Sequence, residues 1–227
     1  MITGNTEIYH LCHSGVAVKN NNQLLVFDYY KDRPARDKRE LTQGVVTAAD
    51  LKKAEEVFVF VSHSHSDHFN PVIFDWEDHT DNINYILSDD VSMRQNRQNQ
   101  VSVKPDQNTN VENISVQTYG STDRGVSFLV KSNDLKIFHA GDLNWWHWKN
   151  NSKAQQEKEE KNFKKEINKI KDKEIDLAFV PVDPRLDQYY YLAGEYFIKT
   201  VEPDVFIPIH FGNKFKIKGG KLMRESC

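Results

Sequence analysis

The sequence predicts a layered α/β domain that spans residues 1–227. Three observations indicate it. Apolar runs of strand length alternate with amphipathic runs of helix length, turn residues separate them, and several apolar runs end in an acid or a histidine. The order is strands, helix, strand, helix, several strands, helix, strand, helix, strand, which is typical of sheets covered by helices. The 227 residues are enough to bury a sizeable core.

The predicted strands are short and apolar, and turn residues such as the three asparagines at 20–22 lie between them. They are EIYHLC, GVAVK, QLLVFDYY, EVFVFVS, INYILS, ISVQTY, GVSFLVK, LKIFHA, IDLAFVPV and DVFIPIH. Helices are predicted from Thr47 and over residues 71–77, 153–174 and 190–201. Residues 91–112 are polar and predicted to be irregular.

Charge and cysteine content narrow the function classes. The chain has 30 Lys and Arg against 33 Asp and Glu, so no overall positive charge favours nucleic-acid binding. The charged segment 153–174 mixes both signs, which favours a solvated surface helix over a nucleic-acid arm. No run reaches the roughly 18 apolar residues of a membrane span, and the N-terminus does not resemble a signal peptide. Cys12 and Cys227 indicate a buried and a terminal thiol rather than a disulfide, so a cytoplasmic location is expected.

The strongest chemical signal is the segment SHSHSDHFN, residues 62–70, directly after an apolar strand. His63 and His65 alternate with serines, so both imidazoles could face one side, while Asp67 and His68 point elsewhere as the loop turns. One loop could then offer two nitrogens to one metal and an oxygen and a nitrogen to a second. Imidazole and carboxylate suit zinc, manganese or iron, and zinc is the commonest hydrolytic choice. A histidine-rich surface loop is the alternative.

Two more apolar strands end in a residue that can bind metal. Asp142 follows KIFHAG, and His210 follows FIPI. Taken alone, Asp142 would be a turn residue and His210 an ordinary histidine at a strand end. Because all three segments terminate buried strands, convergence on one or two metal ions is plausible.

The order HxHxDH, strand-end aspartate, strand-end histidine resembles the metallo-β-lactamase superfamily over roughly residues 7–212. The resemblance implies a four-layer αββα sandwich of two mixed sheets flanked by helices. It also implies a metal-dependent hydrolase. The implied ligands are His63, His65, Asp67, His68, Asp142 and His210. Asp28 resembles the family's early strand-end aspartate, which buttresses the histidine loop. The segments HAGD and IPIHF look most like the branch that contains ascorbate-phosphate lactonases.

One position departs from the family pattern. Ser121 stands where the family usually has a further histidine ligand, and His139 is a candidate substitute. The site with His63 and His65 is therefore one ligand short, whereas the site with His68 and His210 looks complete. We expect unequal occupancy, and the choice between one and two metals stays open.

Other residues are candidates for supporting a ligand or contacting substrate. Trp145 and Trp146 follow Asp142 and could border a pocket or pack against the charged helix. Asp183 and Arg185 follow another buried strand and could form an ion pair or touch substrate. Arg124 could meet an anionic substrate. His13 is either a support for a ligand or an ordinary strand histidine.

The resulting hypothesis is hydrolysis of a small ester, lactone, amide or phosphodiester by metal-bound hydroxide. Asp67 would bind metal and orient water, and Asp142 would bridge two ions. The alternatives are an RNA- or phosphodiester-processing nuclease and a metal-binding sensor with little turnover. The expected partner is a small-molecule substrate, and no association with a membrane is expected. The oligomeric state is left open.

Overall fold

The computed structural model describes residues 6–93 and 97–212, so Cys227 lies outside the described residues. The chain divides into two compact units; among the described residues, 6–103 together with Gly212 form the N-terminal unit, and Lys104–Phe211 form the C-terminal unit. The expectation of one domain over residues 1–227 stays a prediction. Among the described residues, no helix combines the length and apolar character needed to cross a membrane.

The N-terminal unit is built on a six-stranded mixed sheet in the order β1-β2-β3-β4-β5-β6. The strands are β1 (Thr6–Cys12), β2 (Gly15–Asn20), β3 (Gln23–Phe27), β4 (Glu56–Val61), β5 (Ile83–Ser88) and β6 (Gln100–Val103). The first three are antiparallel, and β3 to β6 run parallel. The carboxyl ends of β3, β4 and β5 therefore share one edge of the sheet, where the chain continues into Asp28, the histidine loop and Asp90.

Two short helices flank this sheet. Helix α1 (Ala48–Lys53) starts at a capping box in which Thr47 accepts the N–H of Asp50 while the Asp50 carboxylate accepts the N–H of Thr47. The segment Pro71–Asp78 is a 3₁₀ helix that begins with Pro71 and buries Ile73 in the unit's core.

The C-terminal unit has a second six-stranded mixed sheet, in the order β12-β11-β10-β9-β8-β7. Its strands are β7 (Asn108–Val111), β8 (Ile114–Tyr119), β9 (Ser127–Ser132), β10 (Leu135–His139), β11 (Leu177–Pro181) and β12 (Val205–Ile209). Strands β10, β11 and β12 are parallel, so their carboxyl ends meet at one edge. Helices α2 (Lys153–Asn168) and α3 (Leu192–Val201) cover one face through Phe163, Ile167, Ala193, Phe197 and Val201.

The structure differs from the predicted secondary structure in three places. Residues 91–112 contain β6 and β7 rather than only irregular chain. The helix predicted over residues 71–77 is 3₁₀, and the helix predicted over 153–174 ends at Asn168. The other predicted strands and helices are confirmed, including the buried stripe of α3. The two mixed sheets with their helices confirm the α/β fold class.

Candidate metal centre

Asp28 organises the histidine loop of the N-terminal unit. It follows β3, is fully buried and has a left-handed backbone, with φ of 47°. Its carboxylate accepts the N–H of Ser62 at 2.7 Å and the Ser62 hydroxyl at 2.7 Å. It also accepts Nδ1–H of His68 at 2.7 Å. Because Nδ1 of His68 is held in this way, Nε2 is the nitrogen that would bind a metal, which is the usual support for a histidine ligand.

Three imidazoles of this loop lie together. The ring centroids of His63 and His68 are 4.1 Å apart, and Nε2 of His63 is 2.9 Å from Nδ1 of His65. His63 and His68 are fully buried, whereas His65 is half-buried. Nitrogens of several imidazoles gathered at the end of one strand match the donor set of a transition-metal site.

Asp67 is held as a carboxylate by its neighbours. Nε2 of His13 lies 3.5 Å from its Oδ2. The contact with His13 is the main reason that the pKa of Asp67 lies well below its ordinary value; burial opposes the shift and the charge of His68 adds to it. His13 also stands edge-on to His68, with ring centroids 5.9 Å apart. His13 thus contacts the histidine loop rather than being an isolated strand residue.

Asp90 is a supporting residue that the sequence analysis missed. Its Oδ2 accepts both the N–H of Ser64, at 3.1 Å, and the Ser64 hydroxyl, at 2.9 Å. It therefore fixes the part of the loop between His63 and His65. The signal was present, because Asp90 follows an apolar strand just as Asp28 does.

In the C-terminal unit, the ends of three parallel strands bring together Asp142, Asp183 and His210. Nε2 of His210 lies 3.1 Å from Asp142 Oδ1, and its Nδ1 lies 3.3 Å from Asp183 Oδ2. All three side chains are buried. Burial lowers the pKa of His210, but the two carboxylates outweigh it and raise that pKa above its ordinary value. His210 is thus a second buried histidine held by a buried aspartate.

Arg185 completes the surroundings of Asp183. Its Nε and Nη2 contact the Asp183 carboxylate at 2.8 and 2.6 Å. Burial raises the pKa of Asp183, yet the contacts with His210 and Arg185 outweigh it and hold this pKa at about 2. Asp183 therefore stays charged beside His210 throughout the physiological range.

The tryptophans after Asp142 point in different directions. Trp146 stands edge-on to His210, with centroids 5.7 Å apart, and stacks on Trp148 at 5.9 Å. The guanidinium of Arg185 lies 5.8 Å from the Trp148 ring. Trp145 instead packs on Phe163 within the core beside α2 and α3. Trp146 is therefore the tryptophan that borders the ligand group.

The segment around Ser121 is tied to the Asp142 turn. The Thr122 hydroxyl contacts the carbonyls of Asp142, at 3.2 Å, and Asn144, at 2.6 Å, and accepts the N–H of Asn144 at 2.9 Å. The Ser121 hydroxyl accepts the N–H of Asp123 at 3.2 Å, and Arg124 is exposed.

His139 is fully buried at the end of β10. Its Nδ1 accepts the N–H of Gly141 at 3.2 Å, and its ring faces Phe179. These contacts engage Nδ1 with the backbone, and the role of His139 as a substitute ligand stays a prediction.

Comparison with known proteins shows the fold. No family model matches the chain, and no curated protein matches it. Among solved structures, it is similar to the metallo hydrolase Igni18 of Ignicoccus hospitalis, with a TM-score of 0.61 and 14% identity over 91% of this chain and 83% of that one. It is also similar to the metallo-β-lactamase fold protein YhfI of Bacillus subtilis, with a TM-score of 0.57 and 12% identity over 89% and 80%.

A third similar structure is CmlA, a diiron β-hydroxylase of Streptomyces venezuelae, with a TM-score of 0.57 and 11% identity. The match covers 92% of this chain but only 45% of CmlA. At such low identities the likeness concerns the fold alone. The chain has the metallo-β-lactamase fold, and its two mixed sheets with their helices confirm the α/β fold class that the sequence predicts.

Proposed function

We propose that this protein is a metal-dependent hydrolase whose metal ligands are His63, His65, Asp67, His68, Asp142 and His210. One repeated feature carries the proposal. In each unit, a fully or almost fully buried aspartate contacts one nitrogen of a buried histidine, as Asp28 does for His68 and Asp183 for His210. Burying such a pair costs free energy through desolvation. A common role for a buried aspartate–histidine pair is to orient the imidazole for metal binding.

The donor set fits a divalent transition metal. It offers neutral imidazole nitrogens and carboxylate oxygens, which zinc, iron and manganese all accept. When bound, such a metal supplies Lewis-acid activation of water and of an acyl or phosphoryl oxygen. The similar proteins include a metallo hydrolase and a diiron β-hydroxylase. Zinc is proposed here because it is the commonest metal in hydrolytic sites.

The protein's own groups would then orient water and substrate. Asp67 is ionised, so its carboxylate can accept a hydrogen bond from a water molecule. This hydrogen bond would orient a lone pair of the water oxygen towards the substrate. Trp146 beside His210, and Arg185 over Trp148, provide an apolar and a cationic surface for a small substrate. The proposed substrates are small esters, lactones, amides or phosphodiesters. A cytoplasmic location and the lactonase-like branch are proposed on the sequence alone.

The test combines metal analysis with an activity panel. The purified protein should contain a transition metal, and the loaded protein should hydrolyse at least one substrate in an esterase, lactonase and phosphodiesterase panel. His68→Ala and His210→Ala should each remove most bound metal, whereas His79→Ala should not, because His79 is exposed at the end of the 3₁₀ helix Pro71–Asp78 and is not one of the proposed ligands. No metal above background after reconstitution would refute the proposal. Metal without turnover across the panel would favour the sensor, and cleavage of RNA alone the nuclease.

A further inference from the structure

We propose that Asp123 is a metal ligand of this protein and replaces the histidine that the family pattern places at Ser121. The inference rests on the proposed function, because it concerns the same metal centre. It changes the expectation drawn from Ser121, since the site would no longer be one protein ligand short.

The geometry of the C-terminal unit carries the inference. A carboxylate oxygen of Asp123 lies within 4.8 Å of one of Asp142. Two oxygens bound to one ion at about 2.1 Å lie roughly 3 to 4 Å apart. The Asp123 side chain is exposed, so a rotation of its own bonds covers the remaining distance without moving the core.

The contacts of the neighbouring residues hold Asp123 in this place. The Ser121 hydroxyl accepts the Asp123 N–H at 3.2 Å and so stabilises the turn from which Asp123 projects. The Thr122 hydroxyl binds the backbone of Asp142 and Asn144 on the facing turn. Ser121 therefore has a role of its own at the position where the family pattern has a histidine, because it stabilises the loop from which the Asp123 carboxylate projects.

A second observation indicates that this turn binds a ligand. The side chain of Asn144 is fully buried, and neither its Oδ1 nor its Nδ2 has a hydrogen-bond partner among the described residues. Nε1 of Trp146, two residues further on, is in the same situation. Buried amide and indole groups without partners are rare and mark places where a ligand or ordered water completes the bonding. Asn144 lies on the turn to which Thr122 fastens the Asp123 loop.

Electrostatics also favour a cation here. Asp123 and Asp142 are both acids, and two carboxylates at this separation repel each other. A divalent cation bound by both carboxylates would remove the repulsion, and a carboxylate in place of an imidazole would also add negative charge to the site.

The test is metal binding, which does not depend on turnover. Metal-free protein is titrated with Zn²⁺ and, for a spectroscopic signal, with Co²⁺. Asp123→Asn keeps the size of the side chain and should weaken the binding of at least one ion by about 10-fold or more. It should also shift the visible spectrum of the Co²⁺ form. Asp134→Asn, an exposed aspartate in the β9–β10 turn, is the matched control and should leave both measurements unchanged.

A rescue variant separates ligand loss from a structural effect. Ser121→His added to Asp123→Asn should restore the lost affinity, because a histidine then stands at the position that the family pattern uses. Unchanged affinity and Co²⁺ spectrum in Asp123→Asn, with metal still bound by the wild type, would overturn the inference and leave the proposed function standing. A wild type that binds no metal would instead overturn the proposed function, and the inference with it.

Discussion

At the scale of single residues, the molecule repeats one device. Asp28 and Asp183 each follow a buried parallel strand, and each contacts a buried histidine, at 2.7 Å for His68 and 3.3 Å for His210. An aspartate in this role fixes the orientation of the imidazole and raises the basicity of its other nitrogen. The two aspartates should therefore affect metal affinity without being ligands themselves.

We expect Asp28→Asn to lower metal affinity about 10- to 100-fold. Asparagine keeps the shape and tolerates the left-handed φ of 47° at this position, but it is a weaker partner for Nδ1–H of His68. Asp183→Asn should act in the same way through His210. Competition with a chromophoric chelator measures the affinity, and Asp134→Asn serves again as the control. Wild-type affinity in both variants would show that these pairs are structural only.

The metal-free protein should lose stability as the pH rises above about 6.5. The pKa of His210 is raised in the folded state, so its contribution is fully present below the unfolded pKa and is lost as the pH passes the folded pKa. The pKa of Asp183 is lowered to about 2, so its contribution is present above the unfolded value of about 3.8 and is lost only in stronger acid. Urea unfolding from pH 6 to 9, in chelator, should show a decline that His210→Gln reduces. Equal declines in both proteins would contradict this origin.

At the scale of secondary structure, buried strands could be predicted from the sequence, whereas strands at the edges of the sheets could not. Strand β4 is apolar at five successive positions because both faces are covered, and it was recognised from that run. Strands β6 and β7 form edges of their sheets, and at least half of the residues in each are polar, so the sequence pattern alone indicates irregular chain. The segment Pro71–Asp78 carries a helical pattern, but short apolar spacing does not distinguish 3₁₀ from α.

The same reasoning explains the site residues. Asp28, Asp142 and His210 were found because each closes an apolar strand. The role of His13 depends on contacts with residues far away in the chain, and the role proposed for Asp123 depends on a turn held by Thr122. Long-range contacts of this kind leave no periodic signal in the sequence.

Gly44 provides a test of an element boundary. It ends the 3₁₀ helix Leu41–Gln43 with φ of 83°, and a Cβ there would lie 2.2 Å from the backbone oxygen of Leu11. Gly44→Ala should destabilise the metal-free protein by about 2–4 kcal/mol, from backbone strain and overpacking together. Gly212→Ala is the control, because its φ is 54° but nothing lies within 4 Å of the added carbon. Strain alone should cost it about 1 kcal/mol. If urea unfolding shows equal losses of free energy of unfolding in the two variants, the backbone around Leu11 must move to accommodate the added carbon.

At the scale of the whole molecule, the proposed ligands are divided between the two units. His63, His65, Asp67 and His68 belong to the N-terminal unit, and Asp142 and His210 to the C-terminal unit. In each unit the proposed ligands follow the carboxyl ends of parallel strands, which is where layered α/β folds commonly bind ligands. If all six residues are ligands, metal binding should stabilise both units and not one alone.

Metal at about 100 times its dissociation constant should add about 2.7 kcal/mol to the free energy of unfolding and raise Tm by about 5–10 °C. Chelator should reverse the shift. Because protons compete with metal for imidazole, the shift should shrink below about pH 6. Thermal unfolding with and without Zn²⁺ at pH 5, 6 and 7.5 measures the linkage, and His79→Ala should behave as wild type. Hydrogen exchange at β4 and β12 then locates the effect, since protection at only one of these strands would mean that one unit alone supplies the ligands.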